Sequence, residues 1–286
     1  MSNFNNLSKL FKYVNENGDS ITFDWAGGYL INKPIGIDTL SINLSQAQGI
    51  NQTGATIQST NIQPRPVTIS GYIVGDDQDV KKDRLMAVIR PDLSGKLYAD
   101  DYYLDIYPTA TPTIEPKRRA AQFQLTLLAA YPYWCKDESA SATLSGVAKR
   151  FKFPWNISRS YRYGEPVTAQ FINIYNSGQV PIPFVVKMSA VGGTVENPKL
   201  IDAKTNKILR LNKSLIAGER VTIEITHERT YVTSTIDGEC RGALDLNSSF
   251  TRLAIGDNVI KPDAESGKAS LQVDIDYATE VVGITL

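Results

Sequence analysis

Histidine is almost missing from this chain: 286 residues contain one, His227, and only two cysteines, Cys135 and Cys240. A metal centre of imidazole and thiolate ligands needs three or four such groups at short spacings, and these residues cannot supply it. Hydrolytic triads lose their usual base for the same reason, and no G-x-S-x-G elbow is present. His227 follows Val221, Ile223 and Ile225 at the same parity, which places it at the end of a strand's inner face as a structural residue. The two cysteines read as partly buried thiols of a reducing compartment.

Net charge is also missing. Lys plus Arg and Asp plus Glu each total 30, so no global field draws the protein to nucleic acid or to an anionic membrane. No apolar run is long enough to suggest membrane insertion. Met1 to Lys12 lacks a charged segment followed by an apolar one, so synthesis and assembly in a cytoplasm are expected. Asp76, Asp77, Asp79 and Asp83 lack the glycine and the closing glutamate of a calcium loop. Gly267-Lys268 has Pro262 where a P-loop requires its first glycine, and Ala269 after the lysine. Thirty acids always offer carboxylate pairs for glycosidase chemistry, but no pair stands out. No catalytic, metal-binding or cofactor-binding residue is therefore nominated, and the chain is expected not to be an enzyme.

What is present is β-pattern. Lys9 to Phe23 reads as a hairpin turning at Asn17-Gly18, a pair that tolerates positive φ. Tyr29, Leu30 and Ile31 form a short strand before Pro34. Val67, Ile69, Gly71 and Ile73 alternate with Thr68, Ser70 and Tyr72, and Pro64 and Pro66 put the start of that strand at a sheet edge. One helix is expected, from about Gln78 to Arg90: acids lie at its start, Leu85, Val88 and Ile89 form its apolar stripe, Lys81, Lys82 and Arg84 face water, and Pro91 ends it. Gly95 to Tyr98 and Tyr102 to Tyr107 make a second hairpin tipped by Asp100 and Asp101, and Gln122 to Ala129 alternates as a further strand.

Ser45 to Asn61 holds almost no charge and few large apolar groups, the composition of a long polar arm or loop. The small polar segment Lys136 to Gly146 marks a domain boundary, giving domains 1–138 and 139–286. Beyond it, strands are expected at Phe171 to Tyr175, Phe184 to Met188, Ile208 to Leu211, Val221 to Thr226, Phe250 to Ile255 and Leu271 to Tyr277. Strands so spaced, with no helical stretch, argue a β-sandwich. Lys149 to Tyr163 interleaves basic residues with Phe151, Phe153, Trp155, Tyr161 and Tyr163. Aromatics and arginines favour protein interfaces, so that use is preferred over stacking of nucleic-acid bases.

Several of these pieces resemble the distal tail protein (Dit) family of siphophages. They are Arg65-Pro66-Val67-Thr68-Ile69-Ser70-Gly71-Tyr72-Ile73 with the acid-started helix after it, Pro91-Asp92-Leu93-Ser94-Gly95-Lys96-Leu97-Tyr98, Phe123-Gln124-Leu125-Thr126-Leu127, and Tyr131-Pro132-Tyr133-Trp134. Asn176-Ser177-Gly178, Asn197-Pro198 and Ser249 to Asn258 are similar to the family's C-terminal domain, whereas Gln46 to Pro64 has no close match.

The resemblance implies a mostly-β protein of two β-sandwich domains, the first tail-tube-like with one α-helix, the second galectin-like. It further implies a structural virion protein forming a hexameric ring at the distal end of a phage tail. Its partners would be other copies of itself, the tail tube protein, and the tail-tip hub or a tail-associated lysin, with receptor-binding or baseplate proteins at the periphery. Head-to-tail ring interfaces need two complementary patches per subunit. The arm Gln46 to Asn61 and the Asp100/Asp101 hairpin are the candidates. The alternative function is a carbohydrate-binding adhesion module, with Trp155, Tyr161 and Tyr163 stacking on sugars.

Overall fold

The computed structural model describes residues 10–117, 119–143, 145–149, 164–168 and 171–285. Two compact units emerge, one of residues 1–137 together with 281–286, the other of residues 138–280. In place of a contiguous second half, the last six residues belong with the first unit.

The first unit is built on the antiparallel pair Arg65–Ile73 and Ala121–Ala129, in register from Ala121 opposite Ile73 to Ala129 opposite Arg65. Strict alternation turns Val67, Ile69, Ile73, Phe123, Leu125 and Leu127 inward, all buried. Gly71 sits at the centre of this ladder because a Cβ there would lie 2.0 Å from the Leu30 carbonyl oxygen and 2.9 Å from the Phe123 ring. The neighbouring strand Tyr29–Ile31 can thus pair closely with it. Pro66 lies opposite Leu128, and pairing on the other side of the strand begins only at Thr68, with Ile35.

The sheet order runs Ser20–Phe23, Phe11–Asn15, Gly95–Ala99, Tyr102–Pro108, Ala121–Ala129, Arg65–Ile73, Tyr29–Ile31. Tyr102–Pro108 is the corner. Its first part pairs with Gly95–Ala99, while Tyr107 and Pro108 pair with Leu128 and Leu127. Both halves of the sheet contribute to one core, where Tyr13, Leu97, Leu104 and Ile106 meet Val67, Ile69 and Leu125.

The N-terminal hairpin forms as expected, but its turn is longer than a two-residue one. Asn15 and Asp19 close it, Asn15 Oδ1 accepts from the amides of Asn17 and Asp19, and only Gly18 takes positive φ, 90°. The helix spans Gln78–Val88 and buries Leu85 and Val88. Lys81, expected to face water, instead folds back: its Nζ donates to the Val74 carbonyl at 2.9 Å and pairs with Asp77 at 2.6 Å. The bare Gly28 and Gly75 backbone leaves room for that side chain.

The second unit is a sandwich. A six-stranded sheet, ordered Ala140–Thr143, Leu271–Tyr277, Val185–Ala190, Arg220–Ile225, Thr230–Ser234, Gly238–Glu239, supplies Val186, Met188, Ile223, Val232, Val273 and Ile275 to the core. A four-stranded sheet, ordered Ile172–Asn176, Gly256–Asp263, Lys199–Asp202, Ile208–Arg210, supplies Ile174, Ile260, Leu200 and Leu209. Five of the six strands expected here appear within two residues of their anticipated ends, and Leu271–Tyr277 matches at both. Phe250 to Ile255 is the exception and is not a strand. Phe250 and Leu253 are buried, but Leu253 makes only an isolated bridge to Ile182. The Asn258 side chain explains it, accepting from the Ala254 amide and donating to the carbonyls of Ala254 and Gly256, which takes the place of ladder bonds.

Candidate assembly interface

Ser45 to Asn61 forms an arm and not a loop; its large apolar residues are only Ile50 and Ile57, and the arm gains Ile42, Leu44 and Ile62 just beyond those bounds. Ile42–Ala47 and Thr56–Ile62 form a two-stranded antiparallel hairpin that pairs with no other strand among the described residues. Every residue of both strands is exposed. From Leu40 to Pro64 there is no charged residue.

Register decides the character of this arm. Ile42 lies opposite Ile62 and Leu44 opposite Thr60, but a bulge after Ser45 shifts the pairing so that Gln46 lies opposite Ile57. One extra residue in a strand reverses its parity. Ile57, which simple alternation would place on the other face, therefore joins Ile42, Leu44 and Ile62. The arm has one aliphatic face, with these four side chains 42–58% exposed, and one face of Asn43, Ser45, Asn61 and Ser59. Ile50 stands at the tip, 97% exposed. An isolated two-stranded hairpin is marginal in water, and exposed apolar surface of this kind marks an interaction site.

The second candidate behaves differently. The Asp100/Asp101 turn is tied down: Asp100 exchanges two bonds with Leu10, through its amide and its side chain, and the Asp101 carbonyl accepts from Asp137 N at 2.8 Å. Asp100 adopts φ 51°, which aspartate tolerates better than most residues. This hairpin belongs to the folded body.

Arg65 roots the arm. It occupies an inward position of its strand, with the same parity as Val67 and Ile69, and is only 2% exposed. Its guanidinium donates to the carbonyls of Pro132 at 2.6 Å, Gly36 at 2.8 Å, Ile37 at 3.0 Å and Val282. Burial pulls its pKa below the ordinary arginine value, and nearby Asp38 opposes that shift. Trp134 Nε1 donates to the same Ile37 carbonyl at 3.0 Å. One side chain thus joins the segment leading into the arm, the turn after Ala121–Ala129 and the returning C-terminal residues. The parity of Arg65 with Val67, Ile69 and Ile73 was the sequence signal for this anchor.

The remaining candidate residues are accounted for locally. His227 Nε2 lies 2.9 Å from Glu280 and its Nδ1 2.8 Å from Arg252 Nη1. Arginine only donates, so Nδ1 accepts and the proton sits on Nε2, facing the carboxylate. Both ring nitrogens are engaged in structure. Asp79 pairs with Lys82. Gly267-Lys268 is a tight connection between strands, with Lys268 3.3 Å from Asp263. Cys135 and Cys240 are half-buried and not joined in a disulfide, and burial pushes the Cys240 thiol above its ordinary pKa. No group of three or more His, Cys, Asp or Glu that could hold a metal occurs among the described residues. No described helix is long and apolar enough to cross a membrane. Trp155, Tyr161, Tyr163 and the aromatic-basic run around them lie outside the described residues.

Comparison with known proteins accords with this architecture. Residues 20–129 match the phage tail protein RIFT-related domain, and residues 177–280 match the C-terminal domain of the siphovirus-type tail component. The crystal structure of the Dit protein (gp 19.1) of phage SPP1, described as a paradigm of the hub adsorption apparatus in phages infecting Gram-positive hosts, is similar in fold. Its TM-score is 0.69 at 12% identity, over 94% of this chain and 98% of that one. The baseplate of phage P2 in its activated conformation, with Ca and with Sr, contains chains matching at TM-score 0.50 and 12% identity, over 96% of this chain and 99% of theirs. No curated protein matches the sequence. The fold and both domain matches define a β-rich structural component of phage tails. This chain belongs to the siphophage distal tail protein family.

Proposed function

We propose that this protein is a non-enzymatic ring subunit at the distal end of a phage tail, joining the tail tube to the tail-tip hub or baseplate. Six copies close head-to-tail through their first units, with the tail tube protein on one side and the hub or a tail-associated lysin on the other. Receptor-binding or baseplate proteins attach at the periphery, and the ring assembles in the host cytoplasm before joining the virion. The chain is divided in this reading near residue 138, into a ring-forming first domain and a second sandwich domain.

The observation that carries this reading is the arm. An uncharged hairpin with four aliphatic side chains on one face and no strand partner among the described residues is suited to lie against another subunit. Its 21 residues match the roughly 20–30 residues per side of a standard protein interface.

Deleting Gln48–Thr60 tests it. The expected product is a folded monomer with an unchanged circular dichroism spectrum, while the intact chain gives closed rings in negative-stain images and a multiple of the chain mass in light scattering. Rings from the deleted protein would refute the role of the arm. An intact chain that is monomeric at every concentration would refute the ring itself.

A further inference from the structure

The stem that leads into the arm is held by residues far along the chain. Ile37 is fully buried, and its carbonyl receives three donors: Arg65 Nη1 at 3.0 Å, Trp134 Nε1 at 3.0 Å and the Ile284 amide at 3.3 Å. Ile284 lies in the core of the first unit, and Val281 packs against that core. Between them, Gly283 rests on the Asp38 backbone so closely that a Cβ would stand 2.7 Å from the Asp38 carbonyl oxygen and 2.9 Å from its Cα. Only a residue without a side chain allows that approach. The Val282 carbonyl accepts from Arg65 Nη2, while Arg65 Nη1 also donates to Gly36.

Completion of the core alone would require Ile284 only. Val282 and Gly283 instead bear on the arm's entry and on its anchor, Arg65. A few residues from that entry, Gln63 N donates to the Ser41 carbonyl at 2.9 Å, and Ile35 exchanges two backbone bonds with Thr68, which closes the base of the arm. Synthesis separates these parts in time. Chains are made from the N-terminus and their domains fold in that order. The arm, Arg65 and Trp134 therefore precede the whole second unit, residues 138–280, and residues 281–284 follow it. The delay is on the order of ten seconds at ordinary rates of synthesis.

We propose that residues 281–284 are a clasp that fixes the base of the arm, so that ring closure waits until the second unit has been made. This rests on the reading that the arm closes the ring. An aliphatic hairpin with unpaired edges is an aggregation hazard in an unfinished chain. While the clasp is missing, the base of the arm is slack, and an interface segment that must first be ordered binds more weakly. Arrival of Val282, Gly283 and Ile284 supplies the last acceptor of Arg65, the last donor to Ile37 and the packing on Asp38. Rings are then built from subunits that carry both units.

The test compares the full chain with Gly283→Val, with a chain ended after Glu280, and with Leu97→Ala, a core variant of the same unit. Amide hydrogen exchange is measured with Ile57→Asp added on the exposed face of the arm, so that ring contacts do not contribute. Exchange at Ile35 and Gln63 should quicken at least about ten-fold in the first two variants and less than about three-fold in Leu97→Ala. Without Ile57→Asp, negative-stain images should show rings for the parent and for Leu97→Ala, and none for Gly283→Val or the shortened chain. Unchanged exchange in Gly283→Val, or rings from it in the parent's yield, would overturn the proposal. So would loss of rings by folded Leu97→Ala, because stability alone would then account for assembly. A parent that never forms rings would sink the ring reading instead, and exchange at the base of the arm would still decide whether the clasp holds it.

Discussion

Two hairpins of the first unit, one expected from its strand pattern and the other expected only as a polar arm or loop, stand in opposite situations. Gly95–Ala99 with Tyr102–Pro108 buries Leu97, Ala99, Leu104 and Ile106 completely, pairs on both flanks, and has its turn pinned by Leu10 and Asp137. Ile42–Ala47 with Thr56–Ile62 has every strand residue exposed and, among the described residues, pairs only with itself. The lesson is that a hairpin's role follows from what covers its apolar face. In the first hairpin that cover is the chain's own core, so the element is structural. In the second no described part of the chain supplies it, so the face is suited to a partner.

The contrast can be broken most severely at its root. Arg65→Met removes a buried guanidinium and takes a donor from four carbonyls, of which Ile37's keeps another in Trp134, so the first unit should lose about 3 kcal/mol or more in denaturant unfolding. A loss below about 1 kcal/mol would mean that water replaces the guanidinium and that Arg65 anchors nothing. Next in size is the paired test of the two hairpins themselves. Leu104→Ala in the covered one should cost about 3 kcal/mol through the cavity it leaves. Leu44→Ala in the free one should change monomer stability by no more than about 0.5 kcal/mol. Equal costs at the two sites would show that the arm is part of the folded core.

The same distinction between stitched and free segments extends to the second unit. Glu219, only 2% exposed, closes a turn by accepting from Ser234 Oγ at 2.6 Å, Lys213 Nζ at 3.1 Å and the Ile216 amide at 3.1 Å. Burial alone would raise its pKa, but the hydrogen bonds from Ser234 and Lys213 outweigh it, and the net shift is downward. A carboxylate with a depressed folded-state pKa contributes stability that is present above its unfolded value, near 4.5, and is lost as pH falls through the folded value. Thermal melts should therefore show the second unit weakening in that acid range, and Glu219→Gln should flatten the slope there. The arm, with no titratable residue, should contribute nothing to any such profile.

Much of the body was legible from residue pattern. Alternation at Val67–Ile73 and Phe123–Leu127, the Leu85/Val88/Ile89 stripe and the glycines at turns located most of the strands and the single described helix, because each depends on neighbours in sequence. Phe250 to Ile255 failed for a specific reason. Its apolar spacing was real, since Phe250 and Leu253 are buried, but one asparagine side chain took the backbone bonds that a strand would have needed.

Zero net charge, the scarcity of histidine and cysteine, and the period-two runs were settled by the amino-acid sequence itself, and with them a mostly-β chain without the ligand supply for a His/Cys metal centre. The aliphatic face of the arm and the four-carbonyl cradle of Arg65 were settled only by the tertiary structure. A bulge that reverses strand parity, and a guanidinium whose acceptors lie as far as 217 residues away, depend on register and chain return, which local composition does not encode.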